Sequence, residues 1–227
     1  MKLSVIVPVY NEKSTILEII KKIKAVKINK EIIIVDDFSR DGTREILKKI
    51  KDKSIKVLFH ERNYGKGHAI RTGIKEVTGD MVIIQDADLE YNPQDYLRLV
   101  KPILDGRVKV VYGSRNLGKK KHKRSALSFY LGGVFLSKLA NFLYGTKLTD
   151  EATCYKLFKT EVIKGLNLRC ERFEFCPEVT AKLARKNITI LEIPINYNPR
   201  SITSGKKIRW KDGLEAIGVL LKYRFVN

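Results

Sequence analysis

Long apolar runs are missing from this sequence. The N-terminal stretch MKLSVIVPVYNE turns polar after a few apolar residues, too soon for the apolar core of a signal peptide or for a membrane span. A later apolar segment, residues 125–145, is interrupted by Lys138 and Asn141. We therefore expect no transmembrane helix. Because no hydrophobic tail precedes Asn227, work at a membrane would require peripheral attachment or a membrane partner.

Cysteine is scarce: the chain has only Cys154, Cys170 and Cys176. These residues form no CxxC pair and their number is odd, so neither a disulfide framework nor a zinc site is predicted. The simplest interpretation is three small core residues in a protein of the reducing cytosol.

The glycine motifs of common nucleotide-binding folds are also absent. No GxxxxGK[ST] occurs, and the glycines of residues 63–73 do not satisfy GxGxxG, so neither a P-loop nor a dinucleotide site is supported. The Gly65-Lys66-Gly67 turn opens a predicted helix. It could present backbone N–H groups and a cation to a phosphate, or it could be a plain loop-to-helix turn.

Acidic residues are few relative to basic ones. The chain has 25 Asp and Glu against 45 Lys and Arg, a formal net charge of +20. Such an excess predicts polyanionic partners, namely nucleic acid, anionic lipid head groups or phosphorylated substrates. A generally lysine-rich composition is the alternative explanation.

Strand-like apolar runs alternate with amphipathic stretches along the chain. Runs rich in Val and Ile predict strands at 3–9, 31–35, 55–59, 81–84, 108–112 and 188–195. Helical periodicity predicts helices at 14–26, 42–51, 66–77, 93–104, 173–184 and 214–225. This alternation is typical of an α/β fold with a largely parallel central sheet flanked by helices. The length allows one large domain, or one domain with an appendage.

Polar residues follow four of the predicted strands, at 8–12, 36–39, 86–88 and 113–115. Open parallel sheets bind ligands just beyond the carboxyl ends of their strands, so we expect these stretches to meet at one edge. Each alone could instead be a turn or a helix cap. In an extended chain Asp86 and Asp88 point the same way. Two carboxylates at such a short distance repel each other unless a cation lies between them or one of them takes a proton.

Five segments, in this order and spacing, resemble the GT-A-type, family-2 inverting glycosyltransferases. They are PVYNE (8–12), VDDFSRDGT (35–43), NYGKGHAIRTG (63–73), DADLEYNP (86–93) and GSR (113–115). Within that family the chain is most similar to polyprenyl-phosphate and dolichyl-phosphate sugar synthases. Its segment TDEATCYKLF (149–158) resembles the segment that follows the acceptor region in those synthases. The sequence departs from the family pattern at Phe38, where glycine is usual, and at Cys154-Tyr155-Lys156, where a Gly-Phe pair is usual. The resemblance implies a single GT-A catalytic domain over 1–227, with a nucleotide-sugar-binding half (1–118) and an acceptor and membrane-interface half (119–227).

The resemblance also implies a divalent cation, Mg²⁺ or Mn²⁺, at the acidic pair. Asp88 corresponds to the direct metal ligand, Asp86 to a residue that holds nucleotide and metal, and Glu90 to a supporting ligand where relatives often have glutamine. Such a cation neutralises the diphosphate of a UDP- or GDP-linked sugar and orients this donor. The implied nucleoside contacts are Pro8, Tyr10, Glu12, Val35, Asp37 and the backbone near Ala87. Lys66 corresponds to a diphosphate or sugar contact, with a solvated lysine as the alternative.

Basic residues are implied to hold the acceptor phosphate and the leaving diphosphate: Arg115, Arg124, Arg200 and Lys206 or Lys207. Arg200 and Lys206 lie in a Gly-, Ser- and Lys-rich stretch, residues 196–213, that predicts a mobile loop able to close over the donor. A lipid phosphate, with a second pKa near ~6, attacks without a general base. A sugar hydroxyl needs one, and Asp150 is the candidate. The catalytic residues are thus expected to be Asp88, Arg115 and Asp150, with both acceptors kept as alternatives.

A basic run, residues 119–124, precedes the apolar segment 125–145. Together they predict an interfacial helix with a basic collar, attached peripherally to the cytosolic face of an anionic membrane. A solvated loop before an ordinary core helix is the alternative. Trp210 and residues 214–225 predict a second amphipathic helix that touches lipid. The sugar, the nucleotide and the oligomeric state stay open, and a non-enzymatic polyanion-binding protein is a third interpretation, although no nucleic-acid motif occurs.

Overall fold

The computed structural model describes residues 1–118, 127–200 and 210–226. The predicted site residues Arg124, Lys206 and Lys207 and the basic run 119–124 lie outside the described residues. The strands are β1 Leu3–Val9, β2 Lys30–Asp36, β3 Ile55–Phe59, β4 Met81–Ile84, β5 Val110–Ser114, β6 Lys156–Lys159 and β7 Ile190–Pro194. The helices are α1 Ile16–Ala25, α2 Thr43–Lys48, α3 Lys66–Lys75, α4 Tyr96–Leu104, α5 Leu127–Tyr144, α6 Thr160–Lys164, α7 Phe175–Arg185 and α8 Trp210–Phe225, with a 3₁₀ turn at Pro93–Asp95.

All seven of these strands form one sheet, in the order β3-β2-β1-β4-β6-β5-β7. Within the described chain β6 is antiparallel to both of its neighbours, β4 and β5, and the other strand pairs are parallel. The predicted α/β fold with a largely parallel central sheet is therefore confirmed. The division into a donor half and an acceptor half remains a prediction, although strands from both predicted halves share the sheet.

The central strands are buried on both faces. All four residues of β4 and all but one of the seven residues of β1 are buried. Helices that cover both faces of a parallel sheet allow its strands to be continuously apolar, without the alternation of a half-exposed strand. For this reason the apolar runs predict β1 and β4 to the residue. The edge strand β3 is also predicted to the residue, although its residues are half-buried or exposed.

β6 is the strand that the sequence pattern does not predict. Its first residue, Lys156, is fully buried, with the ammonium donating to the Glu151 carbonyl and lying 3.7 Å from the centroid of the Tyr112 ring. A buried charge needs such partners to compensate for lost water. Leu157 pairs with Ile83 of β4 on one side and with Val111 of β5 on the other. β6 thus joins the two parts of the sheet and brings residues 149–154 to its carboxyl edge.

The helices differ from the predicted ones mainly at their ends. α2 stops at Lys48 instead of residue 51, because the N–H groups of Lys49 and Ile50 bond to carbonyls three residues back and tighten the last turn. α8 begins at Trp210 instead of residue 214. α5 lies inside the predicted apolar segment. Within the described ranges, no helix combines the length and apolarity that crossing a membrane requires.

The Gly65-Lys66-Gly67 turn is packed against residues 170–172. Its backbone N–H groups are used inside the protein: those of Gly67 and His68 donate to the carbonyls of Arg172 and Glu171 at 2.9 Å, and that of Gly65 donates to Asp37. The interpretation as a backbone phosphate cradle is therefore corrected to that of a loop-to-helix turn. The turn contributes the Lys66 side chain to the edge of the sheet.

We expect Gly65→Ala to be strongly destabilising. Gly65 has φ +96°, and an added Cβ would overlap the Glu171 carbonyl oxygen. Left-handed strain plus overpacking should cost about 2–5 kcal/mol of unfolding free energy, measured by urea denaturation. Gly106→Ala is the matched control, because Gly106 has φ +72° but no atom within 4 Å of the added Cβ. Equal losses in the two variants would contradict close packing at Gly65.

Candidate active site

The site is built at the carboxyl edge of the sheet, where β1, β2, β4 and β5 end. Parallel register sets Pro8 beside Val35, and Ile6 beside Ile84, the last residue of β4. The loop with Asp86 and Asp88 therefore starts next to β1. Val35 is buried, while Pro8 and Tyr10 are half-buried. The polar strand ends meet at one edge as expected, and the nucleoside-binding roles of these residues remain predictions.

Asp37 holds the loop that follows β3. Its Oδ1 accepts from the Tyr64 backbone N–H at 2.9 Å and lies 2.8 Å from His60 Nδ1, and its Oδ2 accepts from the Gly65 N–H at 2.8 Å. Burial raises the pKa of Asp37, but the His60 hydrogen bond and the two backbone hydrogen bonds outweigh it, so that the pKa is lowered overall. Asp37 therefore fixes the loop after β3 beside the predicted nucleoside pocket. A direct contact with base or ribose remains a prediction.

Phe38 explains why glycine is usual at its position. It has φ +65°, in the left-handed region that glycine adopts without strain. The ring is flanked by two guanidinium groups, those of Arg40 at 5.0 Å and Arg44 at 5.4 Å from its centroid. These cation–π contacts offset part of the strain that a phenylalanine carries here.

Asp86 is paired with Lys66. The ammonium lies 2.5 Å from Asp86 Oδ1 and 3.9 Å from the Cys154 sulfur. Desolvation lowers the pKa of Lys66, but the Asp86 charge outweighs it and holds this pKa well above its ordinary value. Cys154 is buried, and its burial raises the pKa of the thiol. The departure from the family pattern at Cys154 thus places a neutral thiol against the Lys66–Asp86 pair.

Asp88 lies near two other carboxylates of the same loop, those of Asp86 and Glu90. Desolvation, Asp86 and Glu90 raise its pKa to about 7, although Arg200 opposes the shift. Its Oδ1 accepts from the Glu90 backbone N–H at 3.1 Å, and its Oδ2 lies 3.2 Å from Arg200 Nη2. The backbone and one guanidinium thus define the position of this carboxylate.

Arg200 connects Asp88 to Glu12, which follows β1. Its two terminal nitrogens bond to the two carboxylate oxygens of Glu12, at 2.9 and 3.2 Å. Glu12 is buried, and its Oε2 also accepts from the Thr15 hydroxyl at 2.8 Å. The guanidinium is therefore shared by two acids that follow the adjacent strands β1 and β4. Its roles toward diphosphate and acceptor remain predictions.

Glu90 binds the segment that carries Arg200. Its Oε1 accepts from the Arg200 backbone N–H at 2.7 Å, its Oε2 accepts from the Tyr197 hydroxyl at 2.8 Å, and its carbonyl accepts from the Asn198 N–H at 2.8 Å. Both carboxylate oxygens are thus engaged by residues 197–200. The structure favours a tethering role for Glu90 over the predicted supporting role at a metal.

A divalent cation fits Asp86 and Asp88 without a third protein carboxylate. Among the described residues, no group of three or more His, Cys, Asp or Glu side chains converges as a metal-binding cluster. Mg²⁺ and similar hard cations commonly bind through one or two carboxylates and complete their shell with water and substrate phosphates. Desolvation and the charges of Asp86 and Glu90 raise the pKa of Asp88, and a divalent cation at this position would offset the repulsion among these carboxylates.

Arg115 and Asp150 form a closed pair at the end of β5. The Nε and Nη2 of Arg115 donate to the two Asp150 carboxylate oxygens at 2.7 and 2.6 Å, and the Arg115 backbone N–H donates at 2.8 Å. Glu192 fixes the same loop by accepting from the N–H groups of Thr149 and Asp150. Since Asp150 is buried and bonded on both oxygens, it is poorly placed to accept a proton from a substrate. Its role as a general base remains a prediction that this geometry disfavours.

Several residues that organise the site escape sequence reasoning. His60, Tyr197 and Glu192 each bond to a predicted site residue or to its backbone, from elements remote in the chain. The clearest signal was the NYNP stretch after β7, since a polar segment there also follows a strand end. His60 follows β3 in the same way.

Known proteins resemble this chain along most of its length. Residues 4–166 match the glycosyl transferase family 2 model. The chain is 29% identical over 224 residues to the UDP-N-acetylglucosamine–dolichyl-phosphate N-acetylglucosaminyltransferase of Methanococcus voltae, and the match covers 89% of each chain. It is 29% identical over 214 residues to the dolichol-phosphate mannosyltransferase of Pyrococcus furiosus, covering 88% of this chain and 58% of the relative.

Among solved structures, the fold resembles glucosyl-3-phosphoglycerate synthase from Mycobacterium tuberculosis in complex with Mn²⁺, uridine diphosphate and phosphoglyceric acid. The TM-score is 0.76 at 17% identity, and the match covers 100% of this chain and 79% of that chain. At this identity the likeness concerns the fold, and it confirms the expected GT-A architecture.

We expect Asp37→Asn to destabilise the protein at neutral pH by about 1–3 kcal/mol, because an amide cannot accept all three hydrogen bonds of the loop. Since the pKa of Asp37 is lowered on folding, its stabilisation is present at neutral pH and is lost as pH falls below the ordinary aspartate value of about 3.9. Urea unfolding at pH 7, 5 and 3.5 measures this. The difference between wild type and variant should shrink only at the lowest pH. Asp105→Asn, at an exposed carboxylate, is the control and should change little.

Proposed function

The chain belongs to glycosyl transferase family 2, and from this premise we propose that it is an inverting, metal-dependent transferase that moves a sugar from a UDP- or GDP-linked donor to a polyprenyl or dolichyl phosphate. The observation that carries the proposal is the convergence of Asp86, Asp88, Lys66 and Arg200 at the carboxyl edge. Relatives named as dolichyl-phosphate transferases support the acceptor class. We propose that residues 1–227 act as a single catalytic domain.

The donor occupies the pocket at the ends of β1 and β2 in this proposal. Pro8, Tyr10 and Val35 form its wall, and Asp37 keeps the loop after β3 in place beside it. The backbone near Ala87 faces the ribose. Asp86 and Asp88 would hold a divalent cation, which neutralises the donor diphosphate when bound. Lys66 and Arg200 supply further positive charge to the same leaving group.

The closed Arg115–Asp150 pair favours a phosphate acceptor over a hydroxyl. A hydroxyl acceptor needs a base, and both oxygens of Asp150 already accept from Arg115. A phosphate monoester is largely dianionic at neutral pH, so one of its oxygens attacks the anomeric carbon while the bond to the nucleotide diphosphate breaks. No proton has to be removed from the nucleophile. Arg115, oriented by Asp150, contacts the acceptor phosphate in this scheme.

α5 and α8 form the membrane-facing surface in this proposal. Exposed apolar side chains recur at helical spacing along α5, at Leu131, Phe135 and Phe142, and along α8, at Trp210, Leu214, Leu221 and Phe225. The Tyr144 hydroxyl of α5 donates to the Leu220 carbonyl of α8 at 2.6 Å, so the helices are in contact. Exposed cations accompany the apolar residues: Lys138, Lys211, Lys222 and Arg224.

This combination of aromatic, leucine and basic side chains suits the interface of an anionic bilayer. If this apolar surface stayed exposed to water, it would favour aggregation. We infer peripheral attachment to the cytosolic leaflet, where anionic lipids, nucleotide sugars and the lipid phosphate head group are all accessible. The basic run 119–124, which precedes α5 in the sequence, would add to the attraction.

The acceptor assay tests the proposed function directly. Labelled UDP- and GDP-sugars are incubated with polyprenyl phosphate and Mg²⁺ or Mn²⁺, and lipid product and nucleotide release are measured together. We expect a lipid-soluble, acid-labile product that Asp88→Ala reduces about a hundredfold or more, because charge stabilisation of the leaving group is lost. Asp105→Ala, at an exposed carboxylate remote from the motifs, should retain activity. Nucleotide release without lipid product would redirect the proposal to a hydroxyl acceptor.

Membrane attachment is tested with a matched pair of leucines. Leu131 on α5 is 55% exposed and Leu17 on α1 is 59% exposed. Because burying a leucine side chain contributes about 1.5 kcal/mol or more, Leu131→Ser should weaken binding to phosphatidylserine-containing vesicles about tenfold. Leu17→Ser should not. Sedimentation with vesicles of graded anionic content gives both values, and equal behaviour of the two variants would refute α5 as the contact surface.

A further inference from the structure

The two carboxylates of the acidic motif each have a basic side chain of the protein in contact. Lys66 pairs with Asp86 at 2.5 Å, and Arg200 pairs with Asp88 at 3.2 Å. These pairs differ in where the cation comes from. Lys66 belongs to α3, which is packed on the sheet, whereas Arg200 belongs to residues 196–200, which follow β7 and end the second described stretch.

Arg200 is held over the acidic motif by specific contacts. Asn196 bonds to Asp95 through its backbone N–H at 2.7 Å and its side-chain amide at 2.9 Å, and Tyr197 forms a bridge with Tyr91. Glu90 then accepts from the Tyr197 hydroxyl and from the Arg200 backbone N–H. Residues 196–200, the Arg200 tether, are thus bound to the loop that bears Asp88. Glu90, which accepts two of these hydrogen bonds, is two residues from Asp88.

The guanidinium occupies a position where a bound divalent ion would repel it. Its Nη2 lies 3.2 Å from Asp88 Oδ2, the oxygen that the Glu90 backbone N–H leaves available, since that N–H binds Oδ1. A cation binding through Oδ2 would therefore meet an existing positive charge within a few ångströms. At that separation in a partly buried site the repulsion is large. Glu12 offers Arg200 an alternative partner, because it already binds both terminal nitrogens.

The surroundings of the tether leave space for a shift. A cavity of about 710 Å³ adjoins the tether. Its lining includes Tyr197 and Asn198 of the tether and Leu89 and Glu90 of the loop that bears Asp88. Leu89, between Asp88 and Glu90, has φ +66°, a backbone conformation that non-glycine residues rarely adopt. Space is thus present beside the tether and the Asp88–Glu90 loop.

We propose that Arg200 is a counter-cation built into the metal site: it competes with the divalent ion for Asp88, and Glu90 is the positioning residue that sets this competition. The ion gains Asp88 when Arg200 moves off it, toward Glu12 or toward the donor diphosphate. Metal affinity is consequently low for the protein alone and rises when a diphosphate supplies Arg200 with new partners. This inference rests on the proposed function for the metal site at Asp86 and Asp88 and for the identity of the diphosphate.

Mn²⁺ binding to the full chain, in the absence of nucleotide, tests the competition by electron paramagnetic resonance titration of free Mn²⁺. Arg200→Gln should bind Mn²⁺ about tenfold more tightly than wild type, because a competing charge has been removed. Arg200→Lys keeps the charge and should stay close to wild type. Tyr197→Phe, which removes one hydrogen bond between the tether and Glu90 without changing the charge near Asp88, should show a smaller gain.

The direction of the change distinguishes this proposal from its alternatives. If Arg200 only binds diphosphate or only supports the fold, Arg200→Gln would leave Mn²⁺ affinity unchanged or lower it, and either result overturns the proposal. Asp88→Ala added to Arg200→Gln should abolish the gain; a gain that persists would place the ion elsewhere and also overturn it. Failure of every variant to bind Mn²⁺ has the same meaning. Since no sugar transfer is measured, a negative acceptor assay would refute the proposed function and leave this result standing.

Discussion

Repulsion between carboxylates at the end of β4 is the constraint on which this edge of the molecule depends. Asp86, Asp88 and Glu90 follow one another at alternate positions, and Glu12 approaches from β1. Each of them has a donor from a different part of the chain: Lys66 from α3, and Tyr197 and Arg200 from the segment after β7. The motif therefore gathers distant segments around itself. A cationic ligand would have to displace Lys66 or Arg200 from these acids.

The acids of this edge serve two distinct purposes. Asp37 and Asp150 are saturated by neighbouring segments: Asp37 by His60 and by backbone N–H groups of the loop after β3, and Asp150 by the Arg115 fork at the end of β5. Asp86 and Asp88 are paired with side-chain cations that can exchange partners, although one oxygen of Asp88 also accepts from the Glu90 backbone N–H. Rigid carboxylates preorganise the pocket, and exchangeable ones leave its centre responsive to charge. The acidic residues of this edge thus include structural carboxylates and carboxylates available to a ligand. Only the hydrogen-bond and ion-pair partners of each residue distinguish the two groups.

Sequence reasoning succeeded where structure follows from local periodicity. β4 is a continuous apolar run, β1 and β3 are each interrupted by a single polar residue, Ser4 and Lys56, and the polar residues after β1 and β4 fell at the expected edge. β6 escaped because Lys156 and Lys159 interrupt its pattern, and the partners of Lys156, Tyr112 and the Glu151 carbonyl, are known only from the fold. The tethering of Arg200 by Glu90 escaped for the same reason, since the two residues are 110 positions apart. The motifs predicted the candidate site residues. The hydrogen bonds that position these residues join distant parts of the chain and leave no local pattern in the sequence.

The position of β6 also orders the events of synthesis. β5 cannot pair with β4 directly, because β6 lies between them and is made about 45 residues later, after α5. On the ribosome, the edge of β4 therefore stays unpaired while the apolar α5 has already emerged. An open strand edge beside an apolar helix is the kind of intermediate that chaperones bind and that aggregates when they are limiting. Yield of the folded chain should thus depend on how quickly translation passes the stretch between β5 and β6.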